Sequence, residues 1–144
     1  MPGITVGVDG SERSRRALEW AIREAGLRGA SLTVLAVNQV ASNYWTGSAE
    51  HYAADRPETE AVRKAAEDAV QKAVSQVGGS GPASVTVRAV SGLPAQELVT
   101  ASADADLVVV GSRGGGGFSR LRLGSVTNQV VAHATCPVVV IPAA

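Results

Sequence analysis

Five short runs of β-branched and other apolar residues alternate with longer stretches of helical periodicity, and few folds are compatible with this alternation. The apolar runs occupy residues 4–8, 31–38, 84–90, 106–111 and 137–142. Nearly continuous apolar strands that alternate with helices predict a parallel sheet with helices on both faces. Because crossovers are right-handed, we expect a five-stranded, doubly wound α/β sheet with the common strand order 3-2-1-4-5.

Capping and turn residues delimit the helices between these strands. The first helix is expected to follow the N-cap Ser11 and to end at Gly29. The second runs from Pro57 to Val77, which leaves residues 39–56 as a long polar loop. Two shorter helices are predicted in "LPAQELVTASADA" and "SVTNQVVAHAT". The apolar faces of the first two helices consist of Ala17, Leu18, Ala21, Ile22 and Ala25, and of Val62, Ala65, Ala66, Ala69, Val70, Ala73, Val74 and Val77.

Length and charge narrow the class of protein. With 144 residues, 45% of them apolar, the chain fits a single domain over residues 1–144. The 13 basic and 13 acidic residues cancel, so a broad nucleic-acid footprint is not expected. No apolar run approaches the roughly 20 residues that span a bilayer, so we expect no membrane partner. One cysteine and an amino terminus without the features of a secretion signal favour the cytoplasm.

The predicted strand order places a ligand crevice beyond the first and fourth strands, where the direction of winding reverses. The turns that contain the most glycine and polar residues fall at these two strand ends. The first strand ends in "VDGSE", residues 8–12, and the fourth in "VGSRGGGG", residues 110–117. The two turns are therefore expected to face each other across one site.

The connection from Gly111 to Gly124 is much longer than the usual 2–6 residues of such folds, which favours a functional loop. Glycine permits positive φ and close approach of the backbone to a ligand. Gly124 and Ser125 begin the last helix, whose first amides form an anion site. The hydroxyls of Ser125 and Thr127 and the cations Arg113, Arg120 and Arg122 fit a phosphate. The alternative is a flexible linker followed by an ordinary N-cap.

The glycine spacing separates classes of nucleotide-binding protein. A Walker motif needs Lys before Ser125, but Gly124 stands there, and the dinucleotide fingerprint needs glycine at Ser119 or Arg120. Gly111-x2-Gly114-x9-Gly124-Ser125 matches instead the pattern G-x2-G-x9-G-[S/T]. By this pattern the chain resembles the ATP-binding universal stress proteins. "VGVDGSERSRRALEWA", "SGLPAQELV" and "CPVVVIP" extend the resemblance to most of the chain.

The resemblance implies a five-stranded α/β fold of the adenine nucleotide alpha hydrolase type with a bound nucleotide. It implies that Asp9 lies over the ribose with Gly10 and Ser11 close by, and that Val37 offers backbone hydrogen bonds to adenine. The residues implied to enclose the phosphates are Gly111, Arg113, Gly114, Gly124, Ser125, Val126 and Thr127. The alternatives are that Asp9 only caps a turn, Val37 only fills the core and Arg113 is a solvated surface charge.

The favoured function is an ATP-binding stress or signalling module, with Mg²⁺ as the expected companion of ATP and its protein ligands unknown. Rapid hydrolysis needs a held metal, a positioned water and charge stabilisation. His51 and His133 are not placed as bases, and Cys136 is interpreted as a small buried residue. The alternatives are a slow Mg-dependent ATPase, and a cyclic AMP binder or nucleotide-free scaffold of the same fold.

The last strand, "PVVVIP", lies at a sheet edge in the predicted order, where an uncovered apolar strand is an aggregation hazard. Pairing with a second copy removes this hazard, and the resemblance implies dimerisation through the same strand. We therefore expect a homodimer whose interface contains Val138, Val139, Val140 and Ile141.

Overall fold

The structure, a computed structural model, describes residues 3–39, 50–79, 81–112 and 124–142, and nine helices and strands alternate along these ranges. The strands are β1 (Gly3–Val8), β2 (Ser31–Gln39), β3 (Ser84–Gly92), β4 (Ala105–Gly111) and β5 (Val138–Ile141). The helices are α1 (Glu12–Arg28), α2 (Glu50–Val77), α3 (Pro94–Ser102) and α4 (Ser125–His133).

The five strands form one parallel sheet in the order β3-β2-β1-β4-β5, which confirms the predicted fold. β1 pairs with β2 as far as Val8 and Ala36, whereas the pairing of β2 with β3 continues to Gln39 and Gly92. β2 therefore extends three residues beyond its last pair with β1. This step in the sheet lies at the edge where the ligand crevice was predicted.

Each face of the sheet has its own apolar core because side chains of a strand alternate between the faces. Val6, Val34 and Val109 pack beneath α1 and α2, and Leu35 and Val108 pack on the opposite side with α3 and α4. Trp20 is half-buried against the first of these cores, in agreement with a packing role. No helix within the described ranges is long and apolar enough to cross a membrane.

The ends of α1 follow the predicted caps. The Ser11 hydroxyl accepts a hydrogen bond of 3.2 Å from the N–H of Ser14, and Gly29 ends the helix in the left-handed region at φ 63°. The predicted apolar face of α1 is buried without exception: Ala17, Leu18, Ala21, Ile22 and Ala25 are each at most 1% exposed. Helical periodicity and caps therefore determine this helix from the sequence alone.

The prediction for the second helix was wrong at its start. α2 begins at Glu50 and β2 ends at Gln39, so eight residues of the predicted loop over 39–56, namely 39 and 50–56, belong to a strand or a helix. Alanine and charged residues with high helix propensity precede Pro57 and extend the helix through it, although proline is a common first residue of a helix. Two positions of the predicted apolar face, Ala65 and Val74, are exposed, because α2 lies over β2 and β3 at the margin of the sheet.

Replacement of Leu18 by Ala tests whether the α1 face carries the stability of the fold. Leu18 is 1% exposed, and we expect Leu18→Ala to lower the free energy of unfolding by about 2–5 kcal/mol. Leu27→Ala is the matched control on the same helix, because Leu27 is 84% exposed and its loss should change stability by less than about 0.5 kcal/mol. Urea unfolding of both variants measures the difference, and equal losses would contradict this core.

Candidate functional site

The carboxyl ends of β1 and β4 lie side by side in the sheet, where the direction of winding reverses. The first turn joins β1 to α1, and the second connection joins β4 to α4. In doubly wound sheets this reversal opens a crevice that binds ligands. The fold therefore places the turn after β1 and the start of α4 at the same edge of the sheet.

The first turn is held by side chains that hydrogen-bond to its backbone. Asp9 is exposed, and its Oδ1 accepts a hydrogen bond of 2.9 Å from the N–H of Ser11. Gly10 has φ 84°, a conformation that favours glycine, and a Cβ there would meet no atom within 4 Å. Glycine is thus required at this position by backbone conformation. Asp9 has a structural role in the turn in addition to the predicted contact with ribose.

Ser14 is a contributor to this turn that the sequence reasoning missed. Its buried Oγ accepts a hydrogen bond of 3.2 Å from the N–H of Asp9 and donates one of 3.1 Å to the carbonyl of Ser11. The spacing Ser11-x-x-Ser14 resembles a capping box in which the second hydroxyl reaches back to the preceding turn. That spacing is the signal in the sequence that could have identified it.

The connection after β4 is closed at its base by three hydrogen bonds. The N–H of Gly124 donates to the carbonyl of Ser112 at 2.8 Å, and the N–H of Ser112 donates to the carbonyl of Ile141 at 2.8 Å. The hydroxyl of Thr127, which is 3% exposed, donates to the carbonyl of Gly111 at 2.6 Å. These bonds fix the start of α4 against the ends of β4 and β5.

The start of α4 presents backbone donors at this edge. Gly124 is the N-cap and has no side chain to accept from the first turn, and the first helical hydrogen bond runs from the N–H of Asn128 to the carbonyl of Gly124 at 2.9 Å. The N–H groups of Ser125, Val126 and Thr127 precede that bond, and such groups lack an intrahelical acceptor. They carry the positive end of the helix dipole.

One detail of the predicted phosphate site needs correction. The sequence reasoning gave the hydroxyl proton of Thr127 to a phosphate, but the structure gives this proton to the carbonyl of Gly111. The backbone N–H of Thr127 is the donor that it retains for a ligand. Ser125 is exposed, so its hydroxyl stays a predicted donor.

The end of β2 borders the same crevice. The side chain of Val37 packs against the core beneath α3 and α4, so its backbone is the part that can meet a ligand. Val37 follows the last residue of β2 that pairs with β1, and no described strand faces this extension on the β1 side. In a strand, alternate residues direct N–H and C=O to the same side. The extension from Val37 to Gln39 therefore has backbone groups directed toward the crevice.

Several predicted residues lie outside the described part of the chain. These are Arg113, Gly114, Arg120 and Arg122 of the glycine-rich connection. Within the described residues, Arg15 in the first turn of α1 pairs with Glu12 at 2.6 Å and with Glu19 at 3.0 Å. The hydrogen bond and charge of Glu12 raise the pKa of the Arg15 guanidinium. Among the residues that the structure describes, the amides at the start of α4 are backbone donors suited to an anion at this edge.

The groups suited to catalysis are sparse. Among the described residues, no three His, Cys, Asp or Glu side chains are grouped so as to hold a metal ion. His133 is exposed at the end of α4, remote in sequence from both turns. Cys136 is half-buried rather than buried as predicted, and its burial raises the pKa of the thiol, which disfavours the reactive thiolate.

A groove of about 280 Å³ lies at the opposite edge of the sheet. Its lining comes from the carboxyl-terminal parts of α1 and α2 and from the turn after α2, namely Ile22, Arg23, Gly26, Leu27, Val77, Gly78, Gly79 and Gly81. These segments precede β2 and β3, so the groove and the crevice are at opposite ends of the strands. The crevice presents the Asp9 carboxylate and the amides at the start of α4, whereas most of the lining of the groove is glycine and aliphatic.

Strand order and connections together define a doubly wound α/β protein. The universal stress protein family matches residues 2–142, and the chain belongs to this family. A universal stress protein of Mycobacterium tuberculosis is 37% identical over 145 residues, which cover 96% of this chain and 47% of the relative. The chain thus spans about half the length of the curated relatives that it matches.

Solved structures agree with this assignment. A universal stress protein from Lactobacillus plantarum is 26% identical and superposes with a TM-score of 0.79 over 97% of both chains. A universal stress protein in complex with cAMP is also 26% identical, with a TM-score of 0.68 over 98% of this chain and 96% of the other. The predicted family and fold are confirmed by these matches.

The surroundings of Cys136 predict slow reaction of its thiol. Because burial raises the thiol pKa in the folded chain, the thiolate fraction at a given pH is lower than in the unfolded chain. The pH at which the rate of alkylation by iodoacetamide rises should therefore be higher for the native protein than for the protein in urea. Measurement of both pH profiles tests this, and a native profile shifted to lower pH would indicate an activated thiol.

Proposed function

We propose that the chain is an ATP-binding module of its family whose nucleotide state alters its shape or its contacts with other proteins, acting in the cytoplasm. The observation that carries this proposal is the meeting of the Asp9–Ser11 turn and the amide-rich start of α4 at one edge of the sheet. Asp9 accepts from the ribose hydroxyls, and the N–H groups of Ser125, Val126 and Thr127 hold phosphate oxygens.

The choice of an adenine nucleotide has two supports. One structural relative, 26% identical to this chain, was solved in complex with cAMP. The fold of that protein therefore accommodates an adenine nucleotide. The glycine spacing from Gly111 to Ser125 supports a triphosphate, because the connection leaves backbone amides without side chains that would obstruct phosphates. Cyclic AMP is the alternative ligand, since one phosphate needs fewer of the same donors.

The residues present fit Mg²⁺ as a companion of the nucleotide. Mg²⁺ that accompanies a nucleotide keeps several of its waters and is bound by phosphate oxygens and one or two protein carboxylates. Asp9 is an exposed carboxylate at the crevice, and among the described residues no three ligand side chains form a cluster. A metal would thus arrive with the phosphates. With neither a base nor a positioned water assigned, we propose slow or absent hydrolysis of ATP.

We also propose a homodimer through β5. Both edge strands, β3 and β5, offer unpaired backbone groups, but they differ in charge. Arg88 lies at the centre of β3, and antiparallel self-pairing about that centre would place two Arg88 side chains opposite each other, which is unfavourable. β5 contains only Val138, Val139, Val140 and Ile141, all half-buried. The apolar, uncharged edge is the one suited to pairing with its copy.

Calorimetric titration with ATP, ADP, AMP and cyclic AMP in the presence of Mg²⁺ tests the ligand, and Asp9→Asn tests the site. Asn retains an oxygen for the N–H of Ser11 but loses the charge, so the turn should persist while ATP affinity falls about tenfold or more. Asp104→Asn is the control, because Asp104 is exposed before β4 at the other edge. Unchanged affinity in Asp9→Asn would contradict the ribose contact.

Light scattering tests the dimer with one substitution on each edge strand. Val139→Asp in β5 should yield a monomer at micromolar concentration, because a charge enters the proposed interface. Val87→Asp in β3 is the matched control, since Val87 is also a half-buried valine against the same core, and it should leave the dimer intact. A monomeric unaltered chain, or a dimer in both variants, would contradict pairing through β5.

A further inference from the structure

Three polar side chains from three different elements meet at the carboxyl edge of β2 and β3. The Nδ2 of Asn38 donates a hydrogen bond of 3.2 Å to the Oγ1 of Thr59, and this Oγ1 is 2.7 Å from the Oγ of Ser91. Asn38 and Ser91 are partners in the β2–β3 register, and Thr59 reaches them from α2. We name these three side chains the Asn38–Thr59–Ser91 cluster.

The cluster lies on the part of β2 that has no support from β1. Pairing with β1 ends at Ala36, so Val37 and Asn38 are held in place on one side by β3 and on the other by no described strand. A strand end with one partner is free to bend away from the plane of the sheet. The hydrogen bonds to Thr59 tie this end to α2, a helix that also packs on β3.

Backbone groups on this free end suit the edge of a purine base. Adenine presents a donor and an acceptor along one edge, which one N–H and one C=O of a strand can satisfy together. Guanine exchanges the donor and acceptor positions, so the two bases need different placements of the strand. Discrimination between them therefore depends on how firmly the end of β2 is positioned.

We propose that the Asn38–Thr59–Ser91 cluster is a positioning element for base recognition, and that Thr59 is its central residue. The inference rests on the proposed function, because it assigns the selectivity for adenine to the end of β2. Thr59 acts through the backbone of Val37 and Asn38 and does not itself contact the nucleotide. α2 thereby becomes coupled to the base, since any movement of the bound base against β2 is transmitted to Thr59.

Thr59→Val tests the proposal because valine keeps the shape of threonine and removes both hydrogen bonds. We expect the affinity for ATP to fall about tenfold, with the ratio of ATP to GTP affinity falling by a similar factor. Inorganic tripolyphosphate, which has no base, should bind the variant and the unaltered chain equally. Thr59→Ser restores the hydroxyl and should restore the ratio. Thr86→Val, at an exposed threonine of β3, is the control for the substitution itself.

Different results separate this inference from the proposed function. If the unaltered chain does not bind ATP, both are wrong. If the unaltered chain binds ATP but does not prefer it to GTP, or if Thr59→Val leaves the ratio unchanged, the positioning role alone is overturned. Should Thr59→Val fail to fold by circular dichroism, Ser91→Ala provides the test, because Ser91 is exposed and its loss spares the packing of α2. For Ser91→Ala we expect the ratio of ATP to GTP affinity to fall about threefold or more. This variant loses one hydrogen bond where Thr59→Val loses two, so the change in free energy is roughly half as large.

Discussion

The hydrogen bond from the Thr127 hydroxyl to the carbonyl of Gly111 is the contact on which the geometry of the crevice depends. It is 2.6 Å long and its donor side chain is 3% exposed, so the Thr127 hydroxyl is shielded from water. Together with the bond between Gly124 and Ser112, it brings both ends of a long connection to one point at the end of β4. The amides at the start of α4 are thereby fixed relative to the sheet, whatever ligand they receive. A helix start tied to its preceding strand is preorganised for an anion, which reduces the cost of binding.

The turn after β1, on the other side of the crevice, is likewise held by hydrogen bonds between side chains and backbone. Asp9, Ser11 and Ser14 hold the turn after β1, and Gly10 supplies the positive φ that the turn requires. Both sides of the crevice follow central strands, β1 and β4, and these strands are buried by helices on both faces of the sheet. The packed core therefore sets the distance between the turn after β1 and the start of α4. Polar side chains set the local backbone conformation of each. At the other end of the strands α1 and the turn after α2 approach each other within the lining of the groove, since a Cβ at Gly26 would lie 3.2 Å from the carbonyl oxygen of Gly81.

Strand order, the apolar face of α1 and the turn after β1 could be predicted from the sequence because each leaves a pattern in it. The α1 face and the caps at Ser11 and Gly29 depend on periodicity and on single residues, and both are confirmed. The start of α2 could not be predicted, because the helix propensity of residues before Pro57 outweighed the signal of the proline itself. The Thr127 bond and the Asn38–Thr59–Ser91 cluster join residues that are 16 to 32 positions apart, so no local pattern reveals them. Sequence thus indicates which segments meet, and tertiary structure determines which of their atoms remain available to a ligand.

The proposed function requires that a nucleotide bind at the carboxyl edge of β1 and β4. Titration of isotopically labelled protein with ATP, followed by the backbone amide resonances, tests it most directly. We expect the largest shifts at Gly10 and Ser11, in the turn after β1, and at Ser125, Val126 and Thr127, at the start of α4. Shifts concentrated instead at Ile22, Leu27 and Val77, which line the groove at the other edge, would contradict the account, as would the absence of any shift at saturating ATP.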